Sequence, residues 1–236
     1  MENFTSTFGN SAANALPADR AQFIRRTYML LAATIAAFIA VEAFLFVSGA
    51  AYVFSAFVFS GTRITWLLVL GVFMVVSYLA NSWAVSDTSK GLQYLGLVLY
   101  IIAEAIIFTP LLFIAAYASG DPTVIVKAGI VTMGLFLGIT ATVFLTRSDF
   151  SFLGPILAIG GFAALGFIVA SALFGFTLGN VFAFVMVAFA GTAILYQTSN
   201  VLHRFRTDQH VAAALVLFAS VALLFWYILR IFSSRR

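Results

Sequence analysis

Long apolar runs separated by short polar breaks dominate the chain. They predict helical spans at residues 27–48, 65–84, 92–118, 124–145, 152–174, 180–202 and 211–231. Each matches the roughly 20 residues an α-helix needs to cross the hydrocarbon of a bilayer. The breaks carry turn chemistry, as in Ser86-Asp87-Thr88-Ser89-Lys90-Gly91, Ser119-Gly120-Asp121-Pro122, Thr146-Arg147-Ser148-Asp149, Gly175 to Gly179, and Arg204 to Gln209. Strands of a membrane barrel are excluded, because the runs are too long and do not alternate. The pattern predicts an all-α polytopic membrane protein in three parts. Residues 1–26 form a flexible N-terminal tail and the entry to the first helix, with Asp19 as its expected N-cap. Residues 27–232 form a seven-helix transmembrane domain, and residues 233–236 a short basic C-terminal tail. Met1 to Ala18 has no early apolar core, so the first span itself is expected to direct insertion.

Composition sharpens this picture. The chain is 63% hydrophobic and 8% charged, against roughly 45–50% apolar and about 25% charged in a soluble domain. So few charges leave no way to cover the outside except with lipid, which is the first expected partner. With Cys 0, disulfides and thiolate metal sites are excluded. Net charge is +4, but the basic residues are scattered through loops and ends rather than gathered on one face, which argues against nucleic-acid binding. Placing the N-terminus inside puts Arg20, Arg25, Arg26, Lys90, Arg147, Arg204 and Arg206 there. Arg63, Lys127, Arg230, Arg235 and Arg236 then lie outside. The excess favours a cytoplasmic N-terminus. Tyr28, Trp66, Trp83 and Tyr117 fall at span ends, where interfacial aromatic belts form. Trp226 lies inside the last span and needs a packing partner.

Little in the chain points to enzyme chemistry. There is no GxSxG, HExxH or P-loop pattern, and no cofactor motif. His203 and His210 flank a loop holding Asp208, without third and fourth metal ligands, so a solvated loop is the expectation there and no metal site. Arg204 and Arg206 beside them suit lipid phosphates.

Glu104 is the sharpest single residue. It sits near the middle of the third span, about 18 Å along the helix from Leu92. A carboxylate there costs several kcal/mol unless paired, hydrated or protonated, so it is expected to face the bundle interior. Two roles stay open for it: a proton- or cation-binding group, or a protonated acid hydrogen-bonded to a neighbouring helix. Glu42 lies closer to the outer end of the first span and carries the same question. Pro110 follows Glu104 in one helix and is expected to kink it, either as an ordinary bend or beside an ion site. Gly134-x-x-x-Gly138, and Gly154, Gly160, Gly161 and Gly166, are expected to let helices approach closely. Gln197 and Ser220 are polar groups inside apolar runs. Gln197 belongs to the cluster Tyr196-Gln197-Thr198-Ser199-Asn200, expected to form interhelical hydrogen bonds.

At this cluster the sequence resembles the Bax inhibitor-1 family of seven-helix membrane proteins. The likeness rests on Ala193 to Asn200 followed by Val201-Leu202-His203, and on Thr146 to Gly154. Arg26 to Leu31, Pro110-x-Leu112, and Ala128-x-x-x-Thr132 with Phe136 add to it. It extends over roughly residues 20 to 232 and is nearest to the bacterial inner-membrane branch typified by the modulator of the FtsH protease. The resemblance implies a bundle in which the last helix is surrounded by the other six. It also implies one of two activities. Some members are pH-sensitive calcium leak channels gated by two aspartates on the last two helices. The matching positions here are Gln197 and Ser220, which cannot titrate, so that switch is absent. The other branch is handled by a membrane-anchored AAA+ protease and modulates membrane-protein quality control, with the small polar N-terminal tail suited to capture. The expected function is that of a regulatory, non-enzymatic membrane protein of this kind. The alternative is a calcium or cation leak, or a proton-linked carrier, using Glu104.

Overall fold

The computed structural model describes residues 11–86, 89–121 and 123–234. Met1–Asn10, Asp87, Thr88, Pro122, Arg235 and Arg236 lie outside the described residues. The helices are α1 (Pro17–Val47), α2 (Ala50–Ser60), α3 (Arg63–Ala84), α4 (Lys90–Tyr117), α5 (Val124–Thr146), α6 (Leu153–Phe174), α7 (Asn180–His203) and α8 (His210–Ser233). All except α2 are long and apolar enough to span a membrane. Among the described residues there is no strand, only an isolated antiparallel bridge between Ser11 and Arg206.

Two differences from the sequence expectation are physical. The first helix starts at Pro17, two residues before the expected cap, so Asp19 lies in the first turn instead of capping it. Leu16 holds the N-cap position. Proline is pre-set for a helix start, and an acid there complements the helix dipole. At 31 residues, α1 is about 46 Å long. It exceeds the hydrocarbon, and its charged first turns project past it. The tail is also not loose throughout. Ala12 is fully buried, and its N–H donates to the Phe205 carbonyl at 2.8 Å.

The second difference is α2. Its 11 residues rise about 16 Å, too short to cross, so the apolar stretch after α1 folds back as a half-helix. The reversal needs Gly49, whose φ of 79° is left-handed. Ser55 and Ala51 face the bundle, while Tyr52, Val53 and Phe57 are exposed. α2 packs against α1 and α4.

The last helix is central, as the family resemblance implies. α8 packs against α1, α3, α4, α5 and α7, and its residues from His210 to Leu215 are all buried. An aromatic network ties it to α1 and α4. Phe108 lies 5.3 Å from Phe38 and 4.9 Å from Trp226, both edge-on. Phe218 meets Tyr100 at 6.0 Å. Such pairs add about 0.5–1.5 kcal/mol each beyond area burial.

Close helix approach falls on only some of the glycines the pattern suggested. Space at Gly134 and Gly138 is open, so this pair faces outward from α5. Gly166 is open too, whereas Gly154 meets Tyr196 and Gly160 meets Phe189. The tightest site is Gly96 on α4. A Cβ there would lie 2.5 Å from the Ala80 carbonyl oxygen and 2.9 Å from the Ala84 nitrogen of α3. Backbone cannot yield as a side-chain tip does. Gly96→Ala is therefore expected to destabilise the detergent-solubilised protein by about 1–3 kcal/mol, seen as a lower thermal unfolding midpoint. Gly134→Ala is expected to stay within about 0.5 kcal/mol of wild type in the same assay.

Candidate functional site

Position in the helices decides where each polar residue points. Glu104 lies midway along α4, and its neighbours Ala103, Ala105 and Phe108 are buried. It is 5% exposed. It shares one face of the helix with Tyr100, one turn earlier, whose hydroxyl interacts with its carboxylate. The Glu104 Oε2 atom is buried without a protein partner.

That carboxylate lines a cavity of about 720 Å³ between α3, α4, α6 and α8. The cavity reaches from the α6–α7 connection and the last turn of α8 down to Glu104. From the end of α4 at Tyr117, this is about 20 Å of helix. Trp66, Phe108 and Trp226 contribute aromatic walls, and Arg230 stands at the mouth. The Arg230 guanidinium donates to the Leu178 carbonyl. Trp66 stacks on Trp226 with centroids 6.2 Å apart. Trp66 thus turns inward instead of joining an interfacial belt, and it supplies a packing partner for Trp226. Tyr28 turns inward as well. Its hydroxyl lies beside Thr140 and Thr198, and its ring meets Phe144 edge-on at 5.7 Å. Tyr117 stays exposed.

Glu42 belongs to a different face. It is 6% exposed, on α1, and Oε2 accepts from the Thr109 hydroxyl at 3.4 Å. Thr109 also donates to the Ala105 carbonyl, at 2.8 Å, and directly precedes Pro110. α4 runs unbroken through Pro110. The two acids thus lie apart: Glu104 on α4 faces the cavity, and Glu42 on α1 is held against α4 by Thr109.

The polar cluster on α7 knits the opposite end. Ser199 Oγ accepts the Phe150 N–H at 2.9 Å and donates to the Ser148 carbonyl at 3.4 Å, fixing the α5–α6 connection. Asn200 Nδ2 donates to Gln197 Oε1 at 3.3 Å within α7. Thr198 sits beside Tyr28, and Tyr196 packs on Gly154. Ser220 donates to the Val216 carbonyl of its own helix at 2.9 Å. Gln197 Oε1 and the Ser220 hydroxyl are thus each engaged within their own helix.

His210 is not a solvated loop residue. It opens α8 with 8% exposure, and its Nε2 lies 3.2 Å from the Tyr94 hydroxyl. His203 Nδ1 sits 3.0 Å from the Ser199 carbonyl. In the loop between them, Arg206 contacts both Asp208 oxygens at 3.0 and 2.8 Å, holding that carboxyl below the usual carboxylate range. Among the described residues no group of three His, Asp or Glu side chains gathers to hold a metal ion. The sequence singled out Glu104 by its depth in an apolar run. It carried no sign of the cavity, whose walls come from four helices far apart in the chain.

Comparison with known proteins accords with this architecture. The profile of the family described as "Inhibitor of apoptosis-promoting Bax1" matches residues 20–236. The chain is 29% identical over 224 residues to Bax inhibitor 1 of Schizosaccharomyces pombe, covering 90% of this chain and 76% of the yeast protein. It is 31% identical over 166 residues to an uncharacterized protein of Pseudomonas aeruginosa, covering 69% of each. A Golgi anti-apoptotic protein of vaccinia virus is 30% identical over 117 residues, 47% of each chain. With seven membrane-length helices, a central last helix and a profile match over nearly its whole length, this multi-pass membrane protein belongs to the Bax inhibitor-1 family.

Proposed function

We propose that the protein is a regulatory membrane protein whose working group is Glu104, a proton- or cation-binding acid reached through the cavity from the face opposite the N-terminus. One observation carries this reading. A carboxylate buried at mid-membrane, with one oxygen unpartnered, lines a cavity wide enough for water and small cations. Such a group is a functional site by default, because hydrocarbon does not tolerate it idly. On the other side of Glu104 the core is filled by Tyr100, Leu97 and Phe218, all buried. That favours a proton-linked carrier or slow leak over an open pore. The non-titrating Gln197 and Ser220 argue against the family's two-aspartate calcium gate. The excess of basic residues on the N-terminal side supports a cytoplasmic N-terminus in the inner, or plasma, membrane.

A second reading rests on the N-terminal sequence. Asn3, Thr5, Ser6, Thr7, Gly9 and Asn10 are small and polar, suited to engagement by a membrane-anchored AAA+ protease of FtsH type. In this reading the protein tunes membrane-protein quality control.

Purified protein in liposomes holding a pH dye or a calcium dye tests the first reading. Wild type is expected to pass protons or monovalent cations and little calcium. Glu104→Gln is expected to cut that flux by about tenfold or more, a loss equivalent to about 1.4 kcal/mol. Equal flux in the two proteins would remove Glu104 from the mechanism. For the second reading, deletion of residues 2–10 is expected to lengthen the protein's half-life in cells severalfold. An unchanged half-life counts against capture through the tail.

A further inference from the structure

The cavity that holds Glu104 has a chemistry more specific than its carboxylate. A divalent metal ion takes six to eight oxygens, or keeps most of its water. Here the acid stands without a second one, because Glu42, on α1, is held by Thr109 of α4 and does not line the cavity. The walls are largely apolar and aromatic: Trp66 and Phe108 face the same space as Trp226 and Tyr227. The volume of about 720 Å³ lies within the range of about 300–1,000 Å³ that suits a small organic ligand. One buried anion among aromatic rings is the arrangement that recognises an organic cation, by charge at one end and by ring faces along its body. A ligand of that kind would also supply a counter-charge to the Glu104 carboxylate that lines the cavity.

We propose that the cavity between α3, α4, α6 and α8 is a binding site for a hydrophobic organic cation, such as an aryl or alkyl quaternary ammonium. Its charge is set against Glu104 and its apolar body lies between Trp66 and Trp226. This deepens the reading of Glu104 as a cation-binding acid and rests on it. Arg230 at the mouth offers a different occupant a hold, namely an amphiphile whose anionic head would sit on the guanidinium. The two ligands depend on opposite residues, so they separate experimentally.

The probe is benzyltrimethylammonium, compared with its neutral carbon isostere neopentylbenzene. Binding to the full-length protein in nanodiscs is read by calorimetry and by tryptophan emission, since Trp66 and Trp226 line the site. Wild type is expected to bind the cation saturably and at least about tenfold more tightly than the isostere. Glu104→Gln is expected to weaken cation binding about tenfold or more and to leave the isostere unaffected, while Arg230→Gln leaves cation binding intact or tightens it. Trp66→Leu, at the rim, provides a second test should Glu104→Gln elute as aggregate, with severalfold weakening expected. Equal binding of cation and isostere overturns the proposal, as does cation binding unchanged in both Glu104→Gln and Trp66→Leu. Binding that collapses in Arg230→Gln alone also overturns it and favours the amphiphile. The flux assay contains no organic cation, so the two ideas fail separately. Glu104-dependent flux without cation binding sinks the ligand assignment alone. Cation binding without flux supports the ligand assignment and sinks the carrier.

Discussion

Helices in hydrocarbon gain nothing by hiding apolar surface from one another, since lipid tails are as apolar as leucine. Van der Waals contact has to hold such a bundle together, and that favours small residues at helix crossings. This constraint organises the whole protein. α8 enters the bundle on Ala212, Ala213 and Ala214, all buried, so its neighbours can close around it. α3 and α4 touch where Gly96 removes the side chain that would otherwise strike the α3 backbone. The half of the bundle away from the start of α8 is built from bulkier pieces. Where Trp66, Phe108 and Trp226 converge, large rings cannot fill the space between four helices, and an opening remains. The cavity is the counterpart of the tight packing elsewhere.

The electrostatics follow the packing. An acid inside hydrocarbon must be relieved by a partner, by water or by a proton, and the two buried acids meet this demand differently. Glu42 has the Thr109 hydroxyl on the adjoining helix. Glu104 has Tyr100 on its own helix and open space beyond. Each keeps one buried oxygen without a partner, but of the two only Glu104 lines a space a ligand can enter.

Much of this architecture was legible in the sequence, for a physical reason. Hydrocarbon imposes one length and one polarity on every crossing, so the seven spans stand out, and the depth of Glu104 follows from counting residues. Features that escaped depend on something other than hydropathy. The first turns of α1 mix Asp19, Arg20, Gln22, Arg25 and Arg26 with Phe23 and Ile24, so their start is set by Pro17 and not by hydropathy. α2 is apolar yet too short to cross, so it merges into the sequence between spans. Gly134-x-x-x-Gly138 has the right spacing, but only the rotation of α5 decides whether that face meets a helix. His210 reads as a loop residue until the central position of α8 buries it. The cavity was hidden most deeply, since its walls are brought together by tertiary packing alone.

The backbone link between the N-terminal arm and the α7–α8 loop has a mechanical meaning. Ser11 and Ala12 are joined to Phe205 and Arg206, directly before the central helix α8. A tensile load applied at the N-terminus is therefore shared with the loop that leads into α8 before it unwinds α1. The N-terminal arm is thus tied to the entry of α8 as well as to α1, so a pull on it has two routes into the bundle.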